Sequence, residues 1–198
     1  MAMLFIARHG ETEWNLADRI QGKGDSPLTA RGVAQACGLA AFLVEVGIDR
    51  LYASPQGRAR RTAEIVAEAT GCTPQFDDRL VEASYGVADG LTIAEAKARY
   101  PGWWERREAD RWRVALPGAE SIADVWRRAE SFAGDCLSGV VDDEAVQVAV
   151  VAHQGVNRNL LAIVMGWSPE AVLRMTQPNF AVFRCDGEAA ACFRTREP

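Results

Sequence analysis

Apolar residues fall along this chain in two rhythms, and their alternation predicts its architecture. Met1–Ala7 and Val146–Ala152 are short, nearly unbroken apolar runs, as expected of strands buried on both faces. Arg50–Ala53 reads as a shorter strand. Elsewhere apolar residues return every three or four positions, the spacing of a helix with one buried face. Val33, Ala36, Cys37, Ala40, Leu43 and Val44 form such a stripe, begun by the cap Thr29 and ended by Gly47. A second helix is predicted from about Gly57 to Thr70, stopped by Gly71. Residues 74–82 read as extended, and Gly86 and Gly90 mark a loop. Ser121 to Asp124 resembles a capping signature for a helix carrying Val125, Ala129, Phe132 and Cys136. Val156–Met165 reads as a helix closed by Gly166, and Ser168-Pro169 opens another. Phe180–Cys185 and Ala190–Thr195 read as closing strands around Asp186-Gly187.

Strands alternating with helices predict an α/β fold, a three-layer α/β/α arrangement with a mostly parallel central sheet. No linker or repeat divides the chain, so residues 1–198 are expected to form one domain. Residues 92–117 break the alternation with Tyr100, Trp103, Trp104 and Trp112 set among arginines. They read as a small helical insertion over the carboxyl edge of the sheet, with Tyr100, Trp104 and Trp112 on one face. The insertion is expected to form a wall or lid of a pocket. Interleaved aromatic and basic residues can also bind single-stranded nucleic acid, but Glu105, Glu108 and Asp110 offset the charge.

Composition narrows the function. A chain of 198 residues can bury a substantial core. Its net charge of −5, without a long block of one sign, argues against non-specific nucleic-acid binding. No apolar run approaches membrane-spanning length, and the first residues lack the charged start and cleavage pattern of a signal peptide. Five cysteines, with no Cys-x-x-Cys pair, read as reduced thiols of a cytoplasmic protein. The alternative is a Cys185–Cys192 bridge.

The candidate chemistry lies at strand ends. The two histidines, His9 and His153, each follow an apolar run closely and each precede a glycine. Strand ends of this kind lie at the carboxyl edge of a sheet, where open α/β folds bind ligands. Arg8, beside His9, is poor core material unless paired. Arg58, Arg60 and Arg61 open a helix after a strand, where positive charge opposes the macrodipole. A bound anion would reverse that cost, and Arg58, nearest the strand end, is the best placed to hold one. Arg60 and Arg61 read otherwise as solvated surface. Glu82 alone is only a loop carboxylate.

In this order the residues resemble the histidine phosphatase superfamily, which includes the cofactor-dependent phosphoglycerate mutases. Arg8-His9-Gly10-Glu11-Thr12-Glu13-Trp14-Asn15 is similar to its signature. Gln21-Gly22 with Pro27 to Gly32, Ser54-Pro55 with Arg58-Ala59 and Thr62-Ala63, and Leu80-Val81-Glu82 with Tyr85-Gly86 resemble its later blocks. Pro117 to Ser121 and Val151-Ala152-His153 with Gly155 complete the series. Three places depart from it. Gln154 and Ala119 stand where glycine is frequent, and Val87-Ala88-Asp89 replaces a frequent tryptophan and glutamate.

The resemblance implies a metal-independent phosphomonoesterase with no cofactor, acting on small phosphorylated metabolites. His9 would be the nucleophile, neutral, with its other ring nitrogen donating to a backbone carbonyl. Glu82 would be the acid and base. Arg8, Arg58, a protonated His153 and Asn15 would bind the phosphoryl group. Gln21, Gly22, Arg19, Tyr85 and Gln154 are candidate substrate contacts, with Trp14 a weaker one. A phosphoglycerate mutase is the alternative, disfavoured because the segment from Glu82 to Glu120 lacks the longer basic, proline-rich insertion of the glycolytic mutases. An inactive phospho-ligand binding protein is a third reading, disfavoured because His9, Glu82 and the arginines are all present. Dimers are common in the family, although no stretch of this chain declares an interface.

Overall fold

A computed structural model describes residues 3–138, 146–186 and 188–195. In chain order the elements are β1 (Met3–Arg8), α1 (Glu13–Leu16), α2 (Ala30–Val46), β2 (Arg50–Ala53), α3 (Gly57–Thr70), β3 (Pro74–Phe76), α4 (Ile93–Arg99), α5 (Pro101–Ala109), α6 (Ile122–Cys136), β4 (Gln147–Ala152), α7 (Gln154–Val164), α8 (Pro169–Val172), β5 (Ala181–Cys185) and β6 (Ala190–Arg194). Met1 and Ala2, expected in the first strand, and Gly187, expected in the closing turn, lie outside the described residues.

The strands form one six-stranded sheet in the order β3-β2-β4-β1-β5-β6. The pairings β3-β2, β2-β4 and β4-β1 are parallel, while β1-β5 and β5-β6 are antiparallel. The sheet is therefore mixed, with its antiparallel pairings at one side.

Alternation along the central strands splits the core into two layers. Leu4, Ile6, Val148 and Val150 point to one face, with Val125, Phe132 and Leu160 of α6 and α7. Phe5, Ala7, Ala149 and Val151 point to the other, with Leu39 and Leu43 of α2 and Ala63 and Val66 of α3. A helix layer thus covers each face, giving the three-layer arrangement. Among the described residues no helix is long and apolar enough to cross a membrane.

Several local expectations need correction. In α2 the buried face is Gly32, Gln35, Ala36, Leu39, Ala40 and Leu43, while Val33, Cys37 and Val44 are exposed. The strand itself ends at Phe76. The Asp77 carboxylate then accepts from Arg79 N–H at 2.8 Å and turns Asp78–Leu80 into a 3-10 helix. Residues 92–117 hold two helices, not one, because Pro101 starts a new helix after Tyr100. Trp112 lies beyond the second helix and meets Trp126 edge-on, so the expected single face of Tyr100, Trp104 and Trp112 does not exist. Trp103 is the most buried ring of this segment, in a small satellite core with Ala88, Ala96 and Leu116. All five cysteines are free. Cys185 faces Ala190 and Cys192 faces Phe183 in the β5-β6 register, so the alternative Cys185–Cys192 bridge is not formed.

Candidate active site

Parallel register brings three strand ends together. Arg8 of β1 stands beside Ala152 of β4, and Ala53 of β2 beside Val151. The next residue on each strand is held by one further ladder bond, His9 N–H to Ala152 O at 3.0 Å and Ser54 N–H to Val151 O at 3.0 Å. His153, just past β4, is the N-cap of α7. The two imidazoles, 144 positions apart in sequence, therefore lie with ring centroids 5.1 Å apart, both buried.

A cavity of about 820 Å³ opens over this edge. Arg8, His9, Asn15, Arg19, Gln21, Gly22, Arg58, Glu82, Tyr85 and Gln154, all singled out from sequence, line it. His153 and Trp14 are not among the lining residues. The segment after Thr92 contributes Ile93, Lys97, Trp103, Trp104, Arg107 and Arg111, so it forms a wall of the cavity.

Each polar group is fixed by named partners. His9 Nδ1 is 2.7 Å from the Gly10 carbonyl oxygen. Burial, then the charges of Arg8 and Arg58, hold this ring well below the usual histidine value. Arg8 donates to Gln154 Oε1 at 3.1 Å and to the Gln177 carbonyl at 3.0 Å. Gln154, one of the departures from the family pattern, thus orients Arg8. Arg58 is buried to 1% exposure. It donates to the carbonyls of Gly24 and Gly22 at 2.7 and 3.1 Å, and pairs with Asp25 at 3.0 Å. Arg60 lies over the Phe76 ring and Arg61 pairs with Glu64 and Glu68, both away from the cavity.

The Glu82 carboxylate accepts from Ala83 N–H at 2.8 Å and from Gly155 N–H at 3.3 Å, one bond to each oxygen. Asn15 sits in a capping box at the start of α1, an element the periodicity did not reveal. Its Oδ1 accepts from Thr12 N–H at 3.1 Å, which leaves its amide NH₂ as the end a ligand could use. Tyr85 is pushed up from its usual value by burial and by Glu82, so it stays a neutral phenol.

His153 is expected to be protonated against a phosphoryl group, and without one its surroundings favour the neutral ring. Burial, then the neighbouring Arg58, His9 and Arg8, hold it well below its usual value, which favours the neutral ring near neutral pH. Its Nε2 is 2.8 Å from Ser54 Oγ, and its Nδ1 is buried without a partner.

Sequence reasoning passed over the supports of this edge. Asn157 donates to the Ala7 carbonyl and to Gln177 Oε1, and Gln177 Nε2 donates to the Ile6 and Ala181 carbonyls. It also missed Arg158, a cavity residue one turn into α7, whose only sequence signal is a cation four positions after Gln154. Among the described residues no cluster of three or more histidine, cysteine or carboxylate side chains could hold a metal ion.

Comparison with known proteins agrees with this geometry. The family model of the histidine phosphatase superfamily (branch 1) matches residues 4–193. A Salmonella paratyphi B protein named "Probable phosphoglycerate mutase GpmB" is 33% identical over 186 residues, covering 94% of this chain and 85% of that relative. The mycobacterial glucosyl-3-phosphoglycerate phosphatase structure, solved with VO3, superposes with a TM-score of 0.83 at 27% identity, covering 98% of this chain and 97% of that one. Bacillus stearothermophilus YhfR superposes with a TM-score of 0.80 at 29% identity, covering 98% and 96%. The match runs from the first strand to the last, through both histidine-bearing strand ends, and the chain belongs to branch 1 of the histidine phosphatase superfamily.

Proposed function

We propose that this chain is a phosphomonoesterase that hydrolyses small phosphorylated metabolites through a phosphohistidine on His9. The observation that carries the reading is the 2.7 Å contact of His9 Nδ1 with the Gly10 carbonyl. A carbonyl only accepts, so Nδ1 bears the proton and Nε2 the lone pair. Burial and two arginines keep the ring from taking a second proton. A neutral imidazole beside buried guanidinium groups is a nucleophile set against an anion site.

In the first step Nε2 attacks phosphorus. The N–P bond forms as the ester P–O bond breaks, and Glu82 gives its proton to the leaving oxygen. In the second, water attacks phosphorus, Glu82 takes the water proton, and the N–P bond breaks to release phosphate. Arg8, Arg58, Asn15 and His153 donate to the phosphoryl oxygens as charge shifts among them. Arg19, Gln21, Gly22 and Tyr85 face the leaving group. No metal is part of this scheme.

The name of the Salmonella relative favours a second reading, a mutase in which a bound phosphoglycerate takes the phosphoryl group instead of water. The likeness to a solved phosphatase across nearly all of the chain supports the first. Chelator-treated protein, assayed on a panel of phosphomonoesters beside His9→Ala, decides between them. Phosphate release that survives chelation, with acid-labile phosphorylation of the chain that His9→Ala lacks, is the expected result. Interconversion of phosphoglycerates without phosphate release would replace it with the mutase.

A further inference from the structure

Gln56 stands at a junction of the site without lining its cavity. It follows β2 and is the N-cap of α3, a position where a short polar side chain usually caps the helix. Its own side chain makes no such bond. Asp25 caps the helix from a neighbouring loop, its Oδ1 accepting the Arg58 main-chain N–H at 3.3 Å. The Gln56 amide is therefore free to reach elsewhere.

It reaches two loops at once. Oε1 accepts from Glu82 N–H at 2.7 Å, and Nε2 donates to the Gly22 carbonyl at 2.9 Å. A main-chain N–H only donates and a carbonyl only accepts, so these partners fix which end of the amide faces which loop. Glu82 and Gly22 both line the cavity, and they lie 26 positions after Gln56 and 34 before it. The same Gly22 carbonyl accepts from the Arg58 guanidinium at 3.1 Å. The amides of Ala83 and Gly155 settle the Glu82 carboxylate, and the Gln56 bond settles the main chain that carries it. The Gln56 backbone completes the junction. Its N–H donates to Ser54 Oγ at 3.3 Å, the same hydroxyl that lies 2.8 Å from His153 Nε2.

We propose that Gln56 is a positioning residue of the reaction, its amide strapping the Glu82 main chain to the Gly22 turn that Arg58 grips. The acid–base group and a phosphoryl-binding cation are thereby set in one register. This inference rests on the phosphomonoesterase reading and names a residue behind its proton relay. Misplacement by about 1 Å can cost a reacting group about 10²-fold, and a carboxylate carried on a loop loses its register when the strap is cut.

Leaving-group dependence tests the role. Protonation by Glu82 matters most when the departing oxygen is basic and least when it leaves as a stable anion. Benzyl phosphate and p-nitrophenyl phosphate supply the two cases, and kcat/KM reports the step in which the ester bond breaks. Gln56→Met keeps the length of the side chain and makes neither bond. It should lower kcat/KM for benzyl phosphate by about 10- to 100-fold and that for p-nitrophenyl phosphate by less than about threefold. Gln56→Glu keeps the acceptor for Glu82 N–H without the donor for Gly22, and its losses should fall between. Hydrogen exchange followed by NMR should find the Glu82 amide protected in the wild type and exchanging at least about tenfold faster in Gln56→Met. Equal losses on both esters, or none, overturn the positioning role. A Glu82 amide that exchanges freely in the wild type overturns the strap whether or not the variants fold. A wild type that hydrolyses no phosphomonoester, with a protected Glu82 amide that Gln56→Met exposes, would keep the strap and remove the phosphomonoesterase reading. Hydrolysis of both esters with a freely exchanging amide would do the reverse.

Discussion

Glu82 and Gly155 sit so close that no side chain fits between them. Gly155 N–H donates to Glu82 Oε2 at 3.3 Å, and a Cβ on Gly155 would stand 2.2 Å from Glu82 Oε1. The glycine after the second histidine is thus a matter of space at the proposed acid–base group. Gly155→Ala should push the Glu82 carboxylate from its place and lower kcat by about 10²-fold or more. Far-UV circular dichroism should remain that of the wild type. An unchanged kcat would take Glu82 out of the proposed proton relay.

The edge that delivers Arg8 and His9 rests on a buried amide network. Gln177→Ala would take one donor from each of the Ile6 and Ala181 carbonyls and one acceptor from the Asn157 amide, which keeps its bond to the Ala7 carbonyl. A buried polar group that loses its partner costs about 1–3 kcal/mol, so a loss of about 2–4 kcal/mol is expected for the three lost bonds together after partial relaxation. Urea unfolding would measure it. A loss below about 1 kcal/mol would mean that the strand end does not depend on this network.

How much of this was legible beforehand follows from what sequence patterns encode. Periodicity located the sheet strands because Leu4–Ala7 and Val148–Ala152 are buried on both faces. It misplaced Val33 and Val44 because α2 packs through small residues, Gly32, Ala36 and Ala40, which carry little hydrophobic signal. Ordered motifs gathered Arg8, His9, Arg58 and His153, which sit at strand or helix ends, and Glu82, which sits in a loop. Gln177 and Asn157 gave no such signal. Their importance comes from carbonyls of Ile6 and Ala7, some 150 or more positions away, and a polar residue in sequence does not announce which backbone group it will meet. The charge state of His153 without a ligand was not legible for a related reason. The motif places the ring beside arginines, and only the fold reveals that it is fully buried.

Burial of both histidines makes stability depend on pH. Each is held well below the usual value near 6.5, so the folded state refuses a proton that the unfolded chain accepts. The unfolded state then binds more protons, and stability rises with pH in that interval. Full stability is present above about pH 6.5 and is lost as pH falls below it, by up to about 1.4 kcal/mol per pH unit for each ring. Carboxylates such as Asp77, held below their usual value near 3.8, act only at lower pH. Urea midpoints from pH 7.5 to 5.5 should therefore fall, and a flat profile would show that at least one ring takes up its proton while folded.

The same burial predicts that ligand binding moves a proton. The ligand-free surroundings favour a neutral His153 with an unpartnered Nδ1, burial first and the Arg58 and Arg8 charges after it. A phosphate dianion bound between Arg8 and Arg58 would offset those positive charges. It would also give Nδ1–H an acceptor, while Nε2–H donates to Ser54 Oγ. Both effects favour the imidazolium that the phosphoryl chemistry calls for. Calorimetry of inorganic phosphate binding at pH 7, in two buffers of different ionisation enthalpy, should report uptake of about one proton beyond that due to phosphate itself. His153→Gln should abolish the uptake and weaken binding by about tenfold, the worth of one charge-assisted hydrogen bond. Uptake that persists in His153→Gln would assign the proton to Glu82 instead, and binding without uptake would mean that His153 serves the anion as a neutral donor.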